Sequence, residues 1–163
     1  MNREYADEIS TAIGELKKDG RYRELNNYIQ HGTVSVFKHC RNVAYVSLLI
    51  ADRLHIRVDR KALVKGALLH DYFLYDWHDK NRENYQKLHG FYHPGIALKN
   101  ARKEYHLTRR EEDIIKKHMW PLTVVPPLCR EAWVVTAADK YCSLLETLKI
   151  RKRPGRVRVG VAK

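Results

Sequence analysis

Histidine and aspartate residues with apolar neighbours recur along this chain of 163 residues. Imidazole and carboxylate together suit a catalytic transition metal better than a structural zinc. None of the three cysteines is paired at the spacing of a closed zinc site, so that kind of site is not indicated. The candidate ligands, in chain order, are His39, His70, Asp71, His93, His118 and Asp139.

The His70-Asp71 doublet is the most specific part of this set. At the end of one helix, such a pair can bind one metal through nitrogen and bridge to a second through the carboxylate. Burying a carboxylate without a metal or another partner is expensive. A single inward-facing histidine is more often a core residue than a ligand, and this alternative stays open for each of the others alone. Together, polar groups on the inner faces of separate helices predict a metal site.

Helices must position these residues, because apolar residues recur at steps of three and four. Residues 35–54 carry such a stripe beside His39. Residues 59–71 form a second helix that Asp59 caps and that ends at the doublet. Further helices are predicted over about residues 3–18 and 23–30, and the sequence shows no strand pattern.

The second half of the chain continues the helical pattern. Pro94 suits the first turn of a helix that runs to about His106. Thr108 and Glu111 have the spacing of a capping box, which predicts a helix that ends near His118. A last helix over about residues 128–149 carries Asp139. These elements predict an all-α, single-domain bundle of about 6–8 helices with an internal metal site.

Composition favours a globular, cytoplasmic protein without a membrane span, since no apolar run reaches the roughly 20 residues required. The net charge is +12, which favours anionic partners such as phosphorylated metabolites, nucleotides or nucleic acid. Residues 151–163 contain six basic residues and no acidic one. We interpret residues 150–163 as a basic, flexible tail that contacts nucleic acid; a tail that only aids solubility is the alternative.

The ordered set of candidate ligands resembles the HD superfamily of metal-dependent phosphohydrolases, in its six-ligand, two-metal form. The resemblance covers about residues 31–149, with residues 1–30 as an N-terminal helical cover. Within the superfamily the chain is most similar to small stand-alone bacterial hydrolases. It lacks the Gly-Tyr-Pro signature of the branch that cleaves cyclic dinucleotides. The local sequences that carry the resemblance are Gly66-Ala67-Leu68-Leu69-His70-Asp71, His93-Pro94 and Ala137-Ala138-Asp139-Lys140.

This resemblance implies two divalent metal ions, with iron or manganese favoured and zinc, nickel or magnesium as alternatives. It implies that His39, His70, Asp71 and Asp139 hold the first ion. Asp71 would bridge to a second ion held by His93 and His118. The implied reaction is hydrolysis of a phosphoester or phosphoanhydride in a small substrate, expected to be a nucleotide, by a metal-activated hydroxide. Asp71 and Lys140 are the expected catalytic residues.

Other residues are candidates for substrate contacts or for supporting the ligands. Lysines next to ligands would hold phosphate oxygens as point charges, with a solvated position on a helix face as the alternative. A histidine one turn before His93 would replace it or orient it. Polar groups in the loop after the doublet would relay protons, with an exposed polar loop as the alternative. Tryptophans beside ligand segments would stack on a base, with a core position as the alternative. These candidates are Lys140, Lys117, His89, His78, Asp76, Trp77 and Trp120.

Two other functions stay open. The same metal centre would suit a phosphodiesterase for cyclic or oligomeric nucleotides. A non-catalytic module that binds a nucleotide or nucleic acid is the second alternative, although a pure sensor has no need of an open dinuclear centre.

Overall fold

The structure, a computed structural model, describes residues 2–31, 33–76 and 88–148. Over these residues it contains six α-helices, one 3₁₀ helix and a two-stranded antiparallel sheet, which confirms the predicted all-α class. In chain order they are α1 (Arg3–Asp19), the 3₁₀ helix (Tyr22–Asn26), β1 (Ile29–His31), β2 (Val34–Ser35), α2 (Val36–Arg53), α3 (Arg60–Leu69), α4 (His89–Glu104), α5 (Arg109–Lys117) and α6 (Arg130–Thr147).

The short sheet corrects two sequence expectations. The helix predicted over residues 23–30 is wrong, because a single 3₁₀ turn there is followed by β1. The absence of strands is wrong too, since β1 pairs with β2, Ile29 opposite Ser35. The strands have three and two residues, which is too short for the alternation that identifies a strand in sequence.

Helix α2 lies at the centre of the bundle and packs against α3 and α6, while α5 packs against both of these. Helix α1 covers α2 and α3. The buried face of α2 consists mainly of small and branched residues, with His39 among them. The sequence predicts that this buried stripe extends to residue 54, which is wrong. Leu54 is 67% exposed, because α2 ends at Arg53.

Local sequence fixes the starts of the helices that carry the candidate ligands. The Asp59 side chain accepts a hydrogen bond from the Ala62 N–H at 3.1 Å, as predicted for the cap of α3. Thr108 and Glu111 form the predicted capping box at α5. The predicted start at Pro94 is wrong, because α4 begins at His89 and Pro94 lies inside it.

A glycine brings two of the ligand-bearing helices together. A Cβ atom on Gly66 of α3 would overlap the Ile114 side chain of α5. Without that atom, the two helices approach closely enough that the rings of His70 and His118, just beyond their C-termini, lie 4.8 Å apart between centroids.

The chain after the doublet is held by α4. The Asn100 amide donates to the carbonyl oxygens of Tyr72 at 3.1 Å and Phe73 at 3.0 Å. Trp77, His78 and the basic tail lie outside the described residues. No described helix combines the length and apolar composition that a membrane span needs.

Candidate metal centre

Six buried side chains from five helices or helix ends meet between the helices. Each is at most 5% exposed, so each polar head lies in the interior of the bundle. Helices α2, α4 and α6 supply one each, and the ends of α3 and α5 supply the rest. The structure therefore brings together all six candidate ligands that the sequence identified: His39, His70, Asp71, His93, His118 and Asp139.

The first group of ligand atoms consists of His39, His70 and Asp139, with Asp71 beside them. Atoms of the first three residues lie within 4.8 Å of one another. Nε2 of His39 lies 3.1 Å from Oδ1 of Asp139. Oδ2 of Asp71 lies 3.2 Å from Nε2 of His70 and 3.6 Å from Nε2 of His39. This is a compact set of two imidazoles and two carboxylate oxygens.

The second group forms on the other oxygen of the same carboxylate. Oδ1 of Asp71 lies 3.1 Å from Nε2 of His93 and 3.6 Å from Nε2 of His118. Since its two oxygens face different histidine pairs, Asp71 has the position of a carboxylate that bridges two cations.

Hydrogen bonds fix which nitrogen of each ring faces the centre. Nδ1 of His70 donates to the Ala67 carbonyl at 2.7 Å, and Nδ1 of His93 donates to that of His89 at 2.7 Å. Nδ1 of His118 donates to the Ile115 carbonyl at 2.9 Å. A carbonyl oxygen only accepts, so these Nδ1 atoms carry hydrogens, and Nε2 is left to face the cluster.

The cluster fits a divalent cation. Nε2 of His93 lies 2.8 Å from Nε2 of His118, and two nitrogen lone pairs at this distance need a proton or a cation between them. Nε2 of His70 and Oδ1 of Asp71 are buried and form no hydrogen bond. Buried atoms of this kind are costly unless a partner satisfies them, and a metal ion held by nitrogen and oxygen would do so.

The electrostatics of the cluster agree with cation binding. Burial opposes ionisation of Asp71, but His70 and His93 hold the pKa of its carboxyl well below the usual range. Burial, assisted by His70 and His93, lowers the pKa of His118 to about 3. Burial also disfavours the charged form of His39, but Asp139 and Glu146 outweigh it and raise its pKa to about 10. At neutral pH the His39 ring therefore carries a proton on each nitrogen, and a cation bound at Nε2 would replace the proton there.

An open cavity of about 740 Å³ reaches the cluster. Asp71, His93, His118 and Asp139 line it, so these four candidate ligands are accessible to a small molecule in the cavity. Lys140 lines it as well. Its Nζ donates to the His118 carbonyl at 3.0 Å and lies 3.5 Å from Oδ2 of Asp139.

His89, which the sequence predicts to replace or orient His93, also lines this cavity. Its ring stacks on that of His93, with centroids 4.4 Å apart, and its backbone carbonyl orients Nδ1 of His93. Its own Nδ1 lies 2.8 Å from the Tyr75 hydroxyl. His89 therefore supports His93, while His93 makes the contact with Asp71.

Three other predicted residues lie away from the described lining of the cavity. Lys117 pairs with Asp113 at 2.7 Å, because the two are one helical turn apart. Asp76 is exposed. Trp120 packs edge to face against Trp133, with ring centroids 4.8 Å apart.

Three residues that were not predicted from the sequence form hydrogen bonds with the ligands. Gln30 donates to Asp71, Glu146 accepts from His39, and Ser143 donates to Asp139 at 3.2 Å. Ser143 and Glu146 lie four and seven residues after Asp139, which puts them on its face of α6, and this spacing could have identified them. No sequence signal indicated Gln30.

Comparison with known proteins agrees with this geometry. A family model described as the HD domain matches residues 36–144, a range that includes all six candidate ligands. No curated protein and no solved structure matches the chain. The match confirms the resemblance seen in the sequence, and the protein belongs to the HD-domain family, whose members are generally metal-dependent phosphohydrolases.

Proposed function

We propose that this protein is a metal-dependent phosphohydrolase that cleaves a phosphoester or phosphoanhydride bond of a small nucleotide. One observation carries the proposal: four histidines and two aspartates converge at the base of an open cavity that also holds a lysine. A buried structural site would have no need of the opening.

In this proposal, His39, His70, Asp71 and Asp139 would hold one ion. Asp71, His93 and His118 would hold a second. Nitrogen and carboxylate donors favour iron or manganese, with zinc, nickel and magnesium as alternatives. Divalent ions bound there would act as Lewis acids that activate water and stabilise charge on phosphoryl oxygens.

The residues of the chain itself would bind and orient the substrate. Lys140 supplies a positive charge at the cavity wall, and its bond to the His118 carbonyl keeps this charge beside the second histidine pair. It would hold a phosphate oxygen as a point charge. Leu88, Phe91 and Leu144 form an apolar part of the lining, which supports binding of a base or sugar beyond the phosphate.

Water is the nucleophile that best fits these surroundings. Cysteine is absent from the described residues that line the cavity, and burial raises the pKa of the Cys142 thiol to about 12. A thiol with so high a pKa is a poor nucleophile at neutral pH. We therefore expect no phosphocysteine intermediate, and oxygen from labelled water should enter the released phosphate or nucleotide in a single turnover.

The test combines elemental analysis of the purified protein with a screen of phosphorylated metabolites. The screen includes nucleoside mono-, di- and triphosphates, cyclic nucleotides and short oligonucleotides, each assayed before and after exhaustive chelation. We expect hydrolysis of a small nucleotide that is lost on chelation and restored by Mn²⁺ or Fe²⁺. Hydrolysis unaffected by complete metal removal would contradict the proposal. Turnover only of cyclic or oligomeric nucleotides would instead make the protein a phosphodiesterase, and binding without turnover would make it a sensor.

A further inference from the structure

Gln30, on β1, contacts the shared carboxylate of the centre. Its side-chain N–H donates to Oδ2 of Asp71 at 2.7 Å, and the residue is 6% exposed. The bond also fixes the amide orientation, because the opposite one would place two oxygens against each other. Gln30 thus holds the oxygen that faces His39 and His70, and leaves Oδ1 directed at His93 and His118.

The amide oxygen of Gln30 shows that the hydrogen bond to Asp71 does not belong to a larger polar network. Its Oε1 is buried and has no hydrogen-bond partner. A buried, unsatisfied carbonyl costs about 1–3 kcal/mol. An apolar side chain of the same length would avoid that cost, so the contact with Asp71 is the one identified gain from an amide at this position.

Glu146 makes a corresponding contact at the first histidine. One carboxylate oxygen lies 2.9 Å from Nδ1 of His39, and the other accepts a hydrogen bond from the Asn42 side chain at 3.2 Å. When a carboxylate accepts a hydrogen bond from the histidine nitrogen that does not bind the metal, it fixes the orientation of the ring and makes the ligating nitrogen more basic. Asn42 in turn anchors the carboxylate on α2.

Both residues lie outside the matched HD domain, which begins at residue 36 and ends at residue 144. One follows the 3₁₀ helix in β1, and the other belongs to the last turn of α6. The flanking segments therefore contribute contacts to a centre whose six candidate ligands all come from within the matched range.

We propose that Gln30 and Glu146 are positioning residues that complete the metal centre from outside the matched domain, Gln30 by setting the plane of the bridging Asp71 and Glu146 by orienting His39. The inference rests on the proposed metal site. It assigns the two residues different effects, because Asp71 belongs to both groups of ligands whereas His39 belongs to one.

The test is titration of metal-depleted protein with Mn²⁺, with free Mn²⁺ measured by electron paramagnetic resonance. Gln30→Met keeps the length of the side chain and removes the donor, and it should weaken binding of every ion by about 10–100-fold. Glu146→Leu should weaken the ion on His39 by a similar factor and leave the ion on His93 and His118 unchanged. Glu146→Gln keeps an acceptor for Nδ1 of His39 and should recover part of the metal affinity that Glu146→Leu loses. Because glutamine and leucine have similar volumes, a difference between the two variants would follow from the hydrogen bond and not from packing.

Ser47→Ala is the matched control. Its hydroxyl is also buried without a partner, but it lies two turns along α2 from His39, roughly 12 Å away. It should bind Mn²⁺ like the wild-type protein, and circular dichroism should show that all variants are folded.

The outcomes separate this inference from the proposed function. Wild-type affinity in Gln30→Met and Glu146→Leu, with a wild-type protein that binds Mn²⁺, would overturn the inference and leave the proposed function intact. Equal weakening by Ser47→Ala would also overturn it, since the effect would then follow from core packing. A wild-type protein that binds none of Mn²⁺, Fe²⁺, Zn²⁺, Ni²⁺ and Mg²⁺ would overturn both.

Discussion

Asp71 is the residue on which the two halves of the centre depend. It is 1% exposed, and its oxygens face different histidine pairs at 3.1–3.6 Å. Asp139 and His39 contact each other at 3.1 Å in one group, and His93 and His118 contact each other at 2.8 Å in the other. A change at Asp71 should therefore affect the whole centre, and a change at His118 should affect part of it.

The first prediction compares these two positions by elemental analysis. Asp71→Ala should remove bound metal and activity together, because both ions would lose a ligand. His118→Ala should lose mainly the second ion. Glu112→Ala, an acidic residue that pairs with Arg102 on the surface, is the control and should keep full metal content. Full metal content in Asp71→Ala protein would show that the bridging role is wrong.

A second prediction concerns Lys140. A hydrogen bond between a charged group and its partner contributes about 1.5–3 kcal/mol, so Lys140→Ala should lower kcat/KM by about tenfold or more for the best substrate of the screen. Metal content should stay unchanged, since the lysine is not a ligand. Lys116→Ala removes an exposed lysine of α5 and serves as control. Equal kinetics for the two variants would exclude a role for Lys140 in phosphate binding.

At the scale of the helices, two ligands share one local arrangement. His70 is the C-cap of α3 and His118 is the C-cap of α5. Each ring donates a hydrogen bond from Nδ1 to the backbone carbonyl oxygen three residues earlier. That carbonyl is in the last turn of the helix, where the backbone carbonyls have no partner within the helix. The helix ends thus orient both rings, and the same bond satisfies a backbone group.

Much of this arrangement could be predicted from sequence because it is local. The cap at Asp59, the capping box at Thr108 and the inward direction of His118 each depend on residues at most four positions apart. The predicted start of α4 at Pro94 is wrong because helices usually tolerate proline best in the first turn. The helix starts five residues earlier, at His89, whose backbone carbonyl accepts a hydrogen bond from His93. Gln30 could not be predicted, since its contact joins positions 41 residues apart through a two-stranded sheet.

A third prediction tests the close approach of α3 and α5. Gly66→Ala should destabilise the protein by about 1–3 kcal/mol, because the added methyl group overlaps Ile114. The shift of α5 should also weaken metal binding at His118. Gly14→Ala is a matched control, since this exposed glycine of α1 has open space around it. It should stabilise the protein by about 0.5–1 kcal/mol. Thermal unfolding measures both, and a stabilised Gly66→Ala protein would show that the helices are not in tight contact there.

At the scale of the whole molecule, charge complements the chemistry proposed for the centre. A net charge of +12 attracts anions in general, and screening limits this attraction to about 10 Å at 0.1 M salt. Six of the 31 basic residues lie in residues 151–163, beyond α6. The rest are distributed over the remainder of the chain. Attraction of a small nucleotide to the cavity and attraction of a nucleic acid to the tail would therefore be separable properties.

The last prediction separates them. If the tail binds nucleic acid, the full chain should retard RNA or DNA in a gel, and the retardation should fall steeply with salt because counterions are released on binding. Truncation after Ile150 should abolish the retardation and leave hydrolysis of small nucleotides unchanged, since all six candidate ligands and Lys140 precede the cut. A variant with the six basic tail residues replaced by glutamine keeps the length of the chain and should behave like the truncated form. Equal retardation with and without the tail would place nucleic-acid binding on the body of the protein, and reduced hydrolysis in both variants would show that the tail serves the active site.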